Sequence, residues 1–156
     1  MKLKLIWIGK TKDAYIKEAN NEYIKRLKRF VQLEIIYIPD LKNAKKLNPK
    51  EIKQQETQLI LQKATTNPII LLDEKGKQFS STEFAAYLQK FQSQSTKEIQ
   101  FVIGGAYGFS QDIYHKANAK LSLSKMTFSH QLIRPIFLEQ LYRAYTIINN
   151  HPYHNE

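Results

Sequence analysis

The chain has 156 residues, of which 42% are apolar and 12% aromatic, a composition that predicts one folded domain over residues 1–156 rather than a disordered segment. Its formal net charge is +10, with 13 of the 24 lysines and arginines in residues 1–50, which favours a polyanion such as nucleic acid as partner over a surface that only aids solubility. The absence of cysteine, the four scattered histidines and the lack of a long apolar run argue against disulfides, a bound metal and a membrane span, and favour a cytoplasmic location.

The first half of the chain predicts two strands, each followed by a helix. The stretch KLKLIWI is a buried strand stopped by Gly9. A helix from about residue 11 to residue 30 follows, because apolar residues recur at helical spacing and most of the basic ones lie on other faces. LEIIYIP is the second strand, and the basic loop DLKNAKKLN leads to a helix that Asn48, Pro49 and Glu51 begin.

The second half predicts two more buried strands and three helices. IILLD is a strand, EKGKQF turns the chain, and Ser80 with Glu83 forms a capping box for the next helix. IQFVIGG is a strand, a short helix near residues 110–117 leads to LSLS, and a long helix fills residues 131–149. This alternation predicts an α/β fold with a mostly parallel sheet flanked by helices, and ligand chemistry beyond the carboxyl ends of the strands.

Three segments beyond strand ends are candidates for a site: LLDEKG, IGGAYGFS and LSLSKMTFSH. The glycines of VIGGAYG let the backbone approach a ligand, or they make only a tight turn between strand and helix; they do not form G-x-G-x-x-G, and no Walker lysine follows. The hydroxyl and apolar side chains of LSLSKMTFSHQL suit a small-molecule pocket, or they form an ordinary loop that leads to a helix cap at Ser129.

The last predicted helix carries more apolar surface than one contact with a sheet requires. Ile133, Phe137 and Leu141 share one stripe, and Ile136 is among the apolar residues beyond it. We expect a second copy of the chain to cover the excess in a homodimer; the alternative is a deeply buried central helix. Pro135 is expected in the first turn or at a kink there.

Four ordered stretches, FVIGGAYGFS, LSLSKMTFSHQLIR, EQLYRAYTIINN and the terminal HPYH, together resemble the ribosomal RNA large subunit methyltransferase H family, which belongs to the SPOUT, or α/β-knot, methyltransferases. The similarity spans the whole chain, including its KLKLIWIGK start. It implies a homodimeric SPOUT-type domain with a trefoil knot in the C-terminal third. It also implies methyl transfer from S-adenosylmethionine to the N3 nitrogen of a pseudouridine in large-subunit (23S) ribosomal RNA, within the assembled ribosome.

The matching motifs place the methyl donor at the strand ends already singled out. By this resemblance, apolar side chains enclose the adenine and backbone groups bond its edge. The residues expected around the donor are Leu72, Gly104, Leu123, Ser124, Lys125, Met126, Thr127 and Phe128.

The resemblance also gives the C-terminal tail a role. HPYH of one subunit is expected to close over the partner's donor pocket and target nucleotide, whereas a chain end by itself is often disordered. Because methyl transfer requires loss of the N3 proton, His154 is the first candidate for the base. Arg143 is expected to stabilise the developing charge or to grip phosphate, Tyr153 to stack on the base, and His130 to orient the nucleotide.

The chain departs from the family pattern at a few positions. Asn155 stands where a basic residue is common, Ser129 where proline usually precedes the histidine, and Ala106 with Tyr107 in the glycine turn. These departures bear on tail contacts and loop geometry, and the donor motifs stay intact.

Two other functions fit parts of the sequence. A noncatalytic RNA-binding protein or ribosome assembly factor with this fold would explain the charge, but the intact IGG, SKMTF and HPYH segments favour the enzyme. A flavodoxin-like metabolite-binding protein would not need the basic N-terminal region.

Overall fold

A computed structural model describes residues 1–155 of the chain. Strands and helices alternate along these residues as predicted, and a short 3₁₀ helix at Ala44–Lys46 lies in the basic loop. None of the described helices has the length and apolar character needed to cross a membrane. In chain order the elements are β1 (Lys2–Ile8), α1 (Ala14–Leu27), β2 (Gln32–Ile38), α2 (Pro49–Lys63), β3 (Ile69–Gln78), α3 (Ser81–Ser93), β4 (Glu98–Ile103), α4 (Gln111–Lys116), β5 (Ala119–Ser122) and α5 (Ile133–Ile148).

The strands form one parallel sheet in the order β2-β1-β4-β3-β5, which confirms the predicted parallel α/β fold. Side chains alternate across β1, so that Leu5 and Trp7 face one side of the sheet while Ile6 and Ile8 face the other. Helices α1, α3 and α5 cover the first side, and α2 and α4 cover the second. Because both faces are covered, the inner strands contain continuous buried apolar runs at residues 5–8, 69–72 and 101–103.

Helix α5 packs against both α1 and α3 and is buried largely by its own chain. Phe137, Leu138, Leu141 and Tyr145 expose almost no surface. Most of the apolar surface that led us to expect a dimer is therefore used within the subunit, and the alternative of a buried central helix describes this chain by itself. Pro135 lies in the first turn as predicted, where its missing N–H costs no helical hydrogen bond.

The segment EKGKQF does not end its strand as the sequence predicted, because β3 continues to Gln78. Leu72 pairs with Leu121 of β5, the ladder is then interrupted, and Lys77 pairs with Leu121 again. Residues 73–76 therefore bulge out of the ladder at this edge of the sheet. Glycine among charged residues is typical of a turn, and the sequence pattern does not contain the later pairing with β5 that restores the strand.

Both predicted capping boxes are present. Glu51 donates its backbone N–H to the side chain of Asn48 at 2.9 Å, and Glu83 does the same to Ser80 at 3.2 Å. In each case the glutamate carboxylate accepts the backbone N–H of the capping residue in return. The sequence therefore located the starts of α2 and α3 from local chemistry alone.

The limits of two other helices differ from the prediction. Helix α1 covers fewer residues than predicted at both ends. Helix α5 begins at Ile133, and the turn before it is capped by Ser129, whose hydroxyl oxygen accepts the Leu132 amide hydrogen at 3.0 Å.

The aromatic core under α5 should dominate stability. Phe137 is fully buried, with its ring centre 5.0 Å from that of Phe101 and 6.3 Å from that of Phe84. We expect Phe137→Ala to lower the free energy of unfolding by about 3–5 kcal/mol, because the substitution removes buried surface and leaves a cavity. Chemical denaturation measures this change. Tyr15→Ala on the exposed side of α1 is the control, and an equal loss in both variants would contradict the packing described.

Candidate active site

A cleft of about 730 Å³ opens at the carboxyl ends of β3, β4 and β5. All three segments singled out in the sequence meet there: the end of β3 with its bulge, the glycine turn after β4, and the loop between β5 and α5. The start of α5 completes the wall through Ile133. Carboxyl ends of parallel strands share one edge of a sheet, which is why segments far apart in sequence form one cleft.

The cleft contains nearly all the residues that the resemblance assigned to the methyl donor. Lys125 is the exception, since it is exposed and does not line the cleft. Ile103 and Leu121, which belong to the segments singled out but were not assigned to the donor individually, add apolar wall. The assigned residues that line the cleft are Leu72, Gly104, Leu123, Ser124, Met126, Thr127 and Phe128.

The glycine turn is both a tight turn and a wall of the cleft. Gly108 donates its N–H to the carbonyl oxygen of Gly105 at 3.1 Å, which closes the turn. A β-carbon built on Gly104 would lie 3.0 Å from the ring of Phe109, so no larger residue fits there without displacing that ring. Beyond the turn, the Ser110 hydroxyl donates to Thr57 of α2 at 2.7 Å. The two explanations weighed for this motif are therefore compatible.

Polar groups of the β3 bulge reach across the cleft. Tyr114 donates its hydroxyl hydrogen to Asp73, and Thr127 donates to Glu74. Burial, and then the bond to Asp73, raise the pKa of Tyr114, so its phenol stays protonated. The sequence flagged LLDEKG as a segment but did not select these carboxylates. Within residues 1–155 no three His, Asp or Glu side chains form a group that could hold a metal ion.

His130 is the member of the predicted catalytic set that lies in the cleft of its own chain. Burial lowers the pKa of its imidazole, and the positive charges of Arg134 and Lys12 lower it further, against the opposite effect of Asp40. The neutral imidazole is therefore favoured at neutral pH. A neutral ring can accept or donate one hydrogen bond, which suits a group that orients a nucleotide.

The other three predicted catalytic residues form a cluster at the opposite end of α5. Arg143 contacts His154 Nδ1 through Nη1 at 3.3 Å, and its guanidinium carbon lies 4.8 Å from the centre of the Tyr153 ring. Glu139 holds the cluster together, because it accepts hydrogen bonds from Arg143 at 2.5 and 3.0 Å and from the Tyr153 hydroxyl at 3.2 Å. Sequence analysis missed Glu139, although its i, i+4 spacing from Arg143 was the available signal.

The cluster that Glu139 holds together, here called the tail cluster, is separated from the cleft within one chain. Ile133 lines the cleft, and Arg143 lies about ten residues further along the same helix, or roughly 15 Å. None of Arg143, Tyr153 and His154 is among the residues that line the cleft. The predicted catalytic set is thus divided between two places in the subunit.

Comparison with known proteins identifies the family. A profile described as "Predicted SPOUT methyltransferase" matches residues 1–154. The chain belongs to the SPOUT methyltransferase family. Two curated relatives, both named ribosomal RNA large subunit methyltransferase H, align over the full length of both chains: the protein of Parabacteroides distasonis is 52% identical and that of Flavobacterium johnsoniae is 49% identical. This SPOUT chain therefore belongs to the large subunit methyltransferase H group, which confirms the resemblance found in its motifs.

A solved structure shares the SPOUT fold. It is a probable methylase family protein from Haemophilus influenzae Rd KW20, with a TM-score of 0.59 and 11% sequence identity, and the match covers 99% of this chain and 70% of that one. At this identity the likeness shows the fold alone.

S-adenosylmethionine, the cofactor predicted from the sequence, is the methyl donor of SPOUT methyltransferases. The cleft fits such a group, since its volume lies in the usual range for small-molecule sites and its walls combine apolar side chains with glycine backbone.

Glu139 should hold the tail of this SPOUT methyltransferase in place. We expect Glu139→Ala to raise the rate at which carboxypeptidase removes the tail by about tenfold, because hydrogen bonds to a charged group contribute about 1.5 kcal/mol. Glu18→Ala is the control, since Glu18 is an exposed glutamate on α1 with no contact to Glu139 or the tail among the described contacts. Equal digestion of both variants would show that Glu139 does not anchor the tail.

Proposed function

We propose that this protein transfers a methyl group from S-adenosylmethionine to the N3 nitrogen of a pseudouridine in 23S ribosomal RNA, with the assembled ribosome as substrate. The observation that carries the proposal is the cleft, in which the family's motif residues gather at the carboxyl edge of a SPOUT sheet. The names of the full-length relatives support large-subunit ribosomal RNA as the substrate class. We expect the protein to act in the cytoplasm as a single domain over residues 1–156, with a C-terminal trefoil knot.

The donor would bind in the cleft. When bound, S-adenosylmethionine supplies a methyl group activated by its positive sulfonium. The apolar side chains of Leu72, Leu123 and Phe128 would hold its adenine, and the backbone of the turn at Gly104 would form part of the wall against the ligand. These residues also exclude water from the reacting groups.

The acceptor nitrogen must lose its proton before or as the methyl group arrives. We assign His154 as the base that accepts the N3 proton and Arg143 as the cation that stabilises the charge left on the ring. Tyr153 would stack on the nucleobase, and His130, already in the cleft, would orient the nucleotide. The contacts of Arg143 with His154 and Tyr153 support a shared role, because they hold the three side chains together.

The distance between cluster and cleft supports a site composed of two subunits. Within one subunit the tail cluster lies about 15 Å from the cleft along α5, too far for a base that must touch its substrate. A homodimer in which each tail meets the partner's cleft would bring the two parts together twice, by symmetry. The half-buried apolar residues Ile136 and Ile147 on α5 are available for such a contact.

The basic surface would bind the RNA backbone. Lys25, Lys28 and Arg29 are exposed near the end of α1, and the loop that follows β2 adds further lysines. Such contacts orient a nucleic acid without reading its sequence and weaken as salt rises. A noncatalytic RNA-binding or assembly factor, the alternative function, would use the same basic surface. It would need neither S-adenosylmethionine nor the C-terminal tail.

The first experiment measures transfer of a labelled methyl group from S-adenosylmethionine to intact ribosomes that lack the modification, with protein-free 23S RNA in parallel. We expect label at a single pseudouridine and preference for the ribosome. Tight ribosome binding without any transfer would favour the noncatalytic function instead.

A heterodimer tests the composite site. One subunit carries Gly104→Val, which should block the cleft by displacing Phe109, and the other carries His154→Ala. Each variant alone should be nearly inactive. The heterodimer should recover about half of the wild-type activity, because one intact cleft then faces one intact tail. If the heterodimer is as inactive as the two parents, the tail does not act across subunits.

A further inference from the structure

Glu56 lies behind the glycine turn, outside the set of residues discussed so far. It belongs to α2, and only 6% of its surface is exposed. A β-carbon built on Gly105 would lie 2.8 Å from Oε1 of Glu56 and closer still to Oε2. The carboxyl group therefore fills the space in which any other residue at position 105 would place its side chain. Gly105 itself lines the donor cleft, so Glu56 supports the wall of the cleft from behind.

The contact is part of a wider support of the turn by α2. Thr57, the next residue on the helix, is buried and accepts the hydroxyl hydrogen of Ser110 at 2.7 Å. Glu56 thus contacts the start of the turn and Thr57 its end. A displacement of Glu56 would move the backbone that faces the donor.

The environment of Glu56 opposes a negative charge. Among the residues that the structure describes, no N–H or O–H group donates a hydrogen bond to its carboxyl oxygens. Burial raises the pKa of Glu56 to about 7, and the nearby negative charge of Asp40 adds to this effect. An ionised carboxylate without donors is costly in a buried position, and it gains stability if the surrounding structure opens to water.

The charged groups on the neighbouring elements are few. Asp40 follows β2 and is the group that acts on Glu56. Lys53 lies about one turn earlier on α2 and lines the cleft, Asp112 on α4 is exposed, and Lys10 after β1 is exposed. None of these offers Glu56 a salt bridge within the described residues.

We propose that Glu56 is a positioning residue for the methyl donor: its neutral carboxyl supports Gly105 from behind, and its ionisation displaces the glycine turn and weakens donor binding. The inference rests on the proposed donor cleft and adds a control of that cleft by a residue that does not touch the ligand. Donor affinity then depends on the fraction of protein in which Glu56 is protonated.

The sign of the pH dependence follows from this fraction. Below pH 7 Glu56 is mostly neutral and the turn is in place, whereas above pH 7 most molecules carry the buried charge. The dissociation constant of the donor should therefore rise with pH, by about tenfold between pH 6 and pH 8. The charge of Asp40 favours the neutral form, so its removal should move the midpoint to lower pH.

The test is calorimetric titration of S-adenosylmethionine into the purified protein from pH 6 to pH 8. The donor's own amino group titrates in the same way with every variant, so the comparison between variants removes its contribution. Glu56→Gln keeps the shape of the side chain without a charge, and we expect less than about a twofold change of its dissociation constant over this range. Asp40→Asn should keep the dependence and shift its midpoint downward. Glu18→Gln on the exposed side of α1 is the matched control and should behave as the wild type.

A second variant separates the support that the Glu56 side chain gives to Gly105 from the effect of its charge. Glu56→Ala removes the support at every pH, so we expect weak donor binding that no longer varies with pH, with folding checked by thermal unfolding. The inference is overturned if Glu56→Gln keeps the tenfold dependence, or if Glu56→Ala binds the donor at pH 6 as tightly as the wild type. A wild-type protein that binds no donor at any pH would instead overturn the proposed function and this inference with it.

Discussion

The buried guanidinium of Arg134 joins the start of α5 to the end of β1. It donates to the carbonyl oxygen of Ile8 at 2.5 Å, to the hydroxyl of Thr11 at 3.1 Å and to the carbonyl oxygen of His130 at 3.1 Å. Its cation also lies 5.1 Å from the ring centre of Trp7. A fully buried cation is costly unless its donors are satisfied, and here neutral oxygens and an aromatic face satisfy them without a carboxylate. The loop that lines the cleft is thereby tied to β1, an inner strand of the sheet.

These contacts of Arg134 fix the start of α5, and the two ends of the helix belong to different regions of the molecule. One end of the helix is held against β1 and contributes Ile133 to the cleft, while the other end carries Glu139 and Arg143 with the tail. The helix between them is packed against α1 and α3 and cannot bend to bring its ends together. A subunit with this geometry keeps the cleft and the cluster around Arg143 apart, and assembly with a second subunit is the means of joining them that the proposed function uses.

Much of the fold could be predicted from local sequence. The capping residues Asn48 and Ser80 located two helix starts, because a cap is satisfied by residues within one turn. The bulge at residues 73–76 could not be predicted, since the strand after it exists only by pairing with β5. Arg134 gave no signal either: a lone arginine is usually exposed, and its acceptors at Ile8 and Thr11 lie more than a hundred residues earlier.

For the candidate site too, some features could be predicted from the sequence and others could not. The sequence by itself determined the family, the parallel α/β fold and the three segments that meet at the cleft, because each is encoded in short stretches of characteristic residues. Only the tertiary structure decided that Lys125 lies outside the cleft, that Glu139 holds the tail cluster, and that Glu56 fills the space behind Gly105. These contacts depend on how distant elements pack and on the charge that burial allows, and neither is a property of any local stretch of sequence.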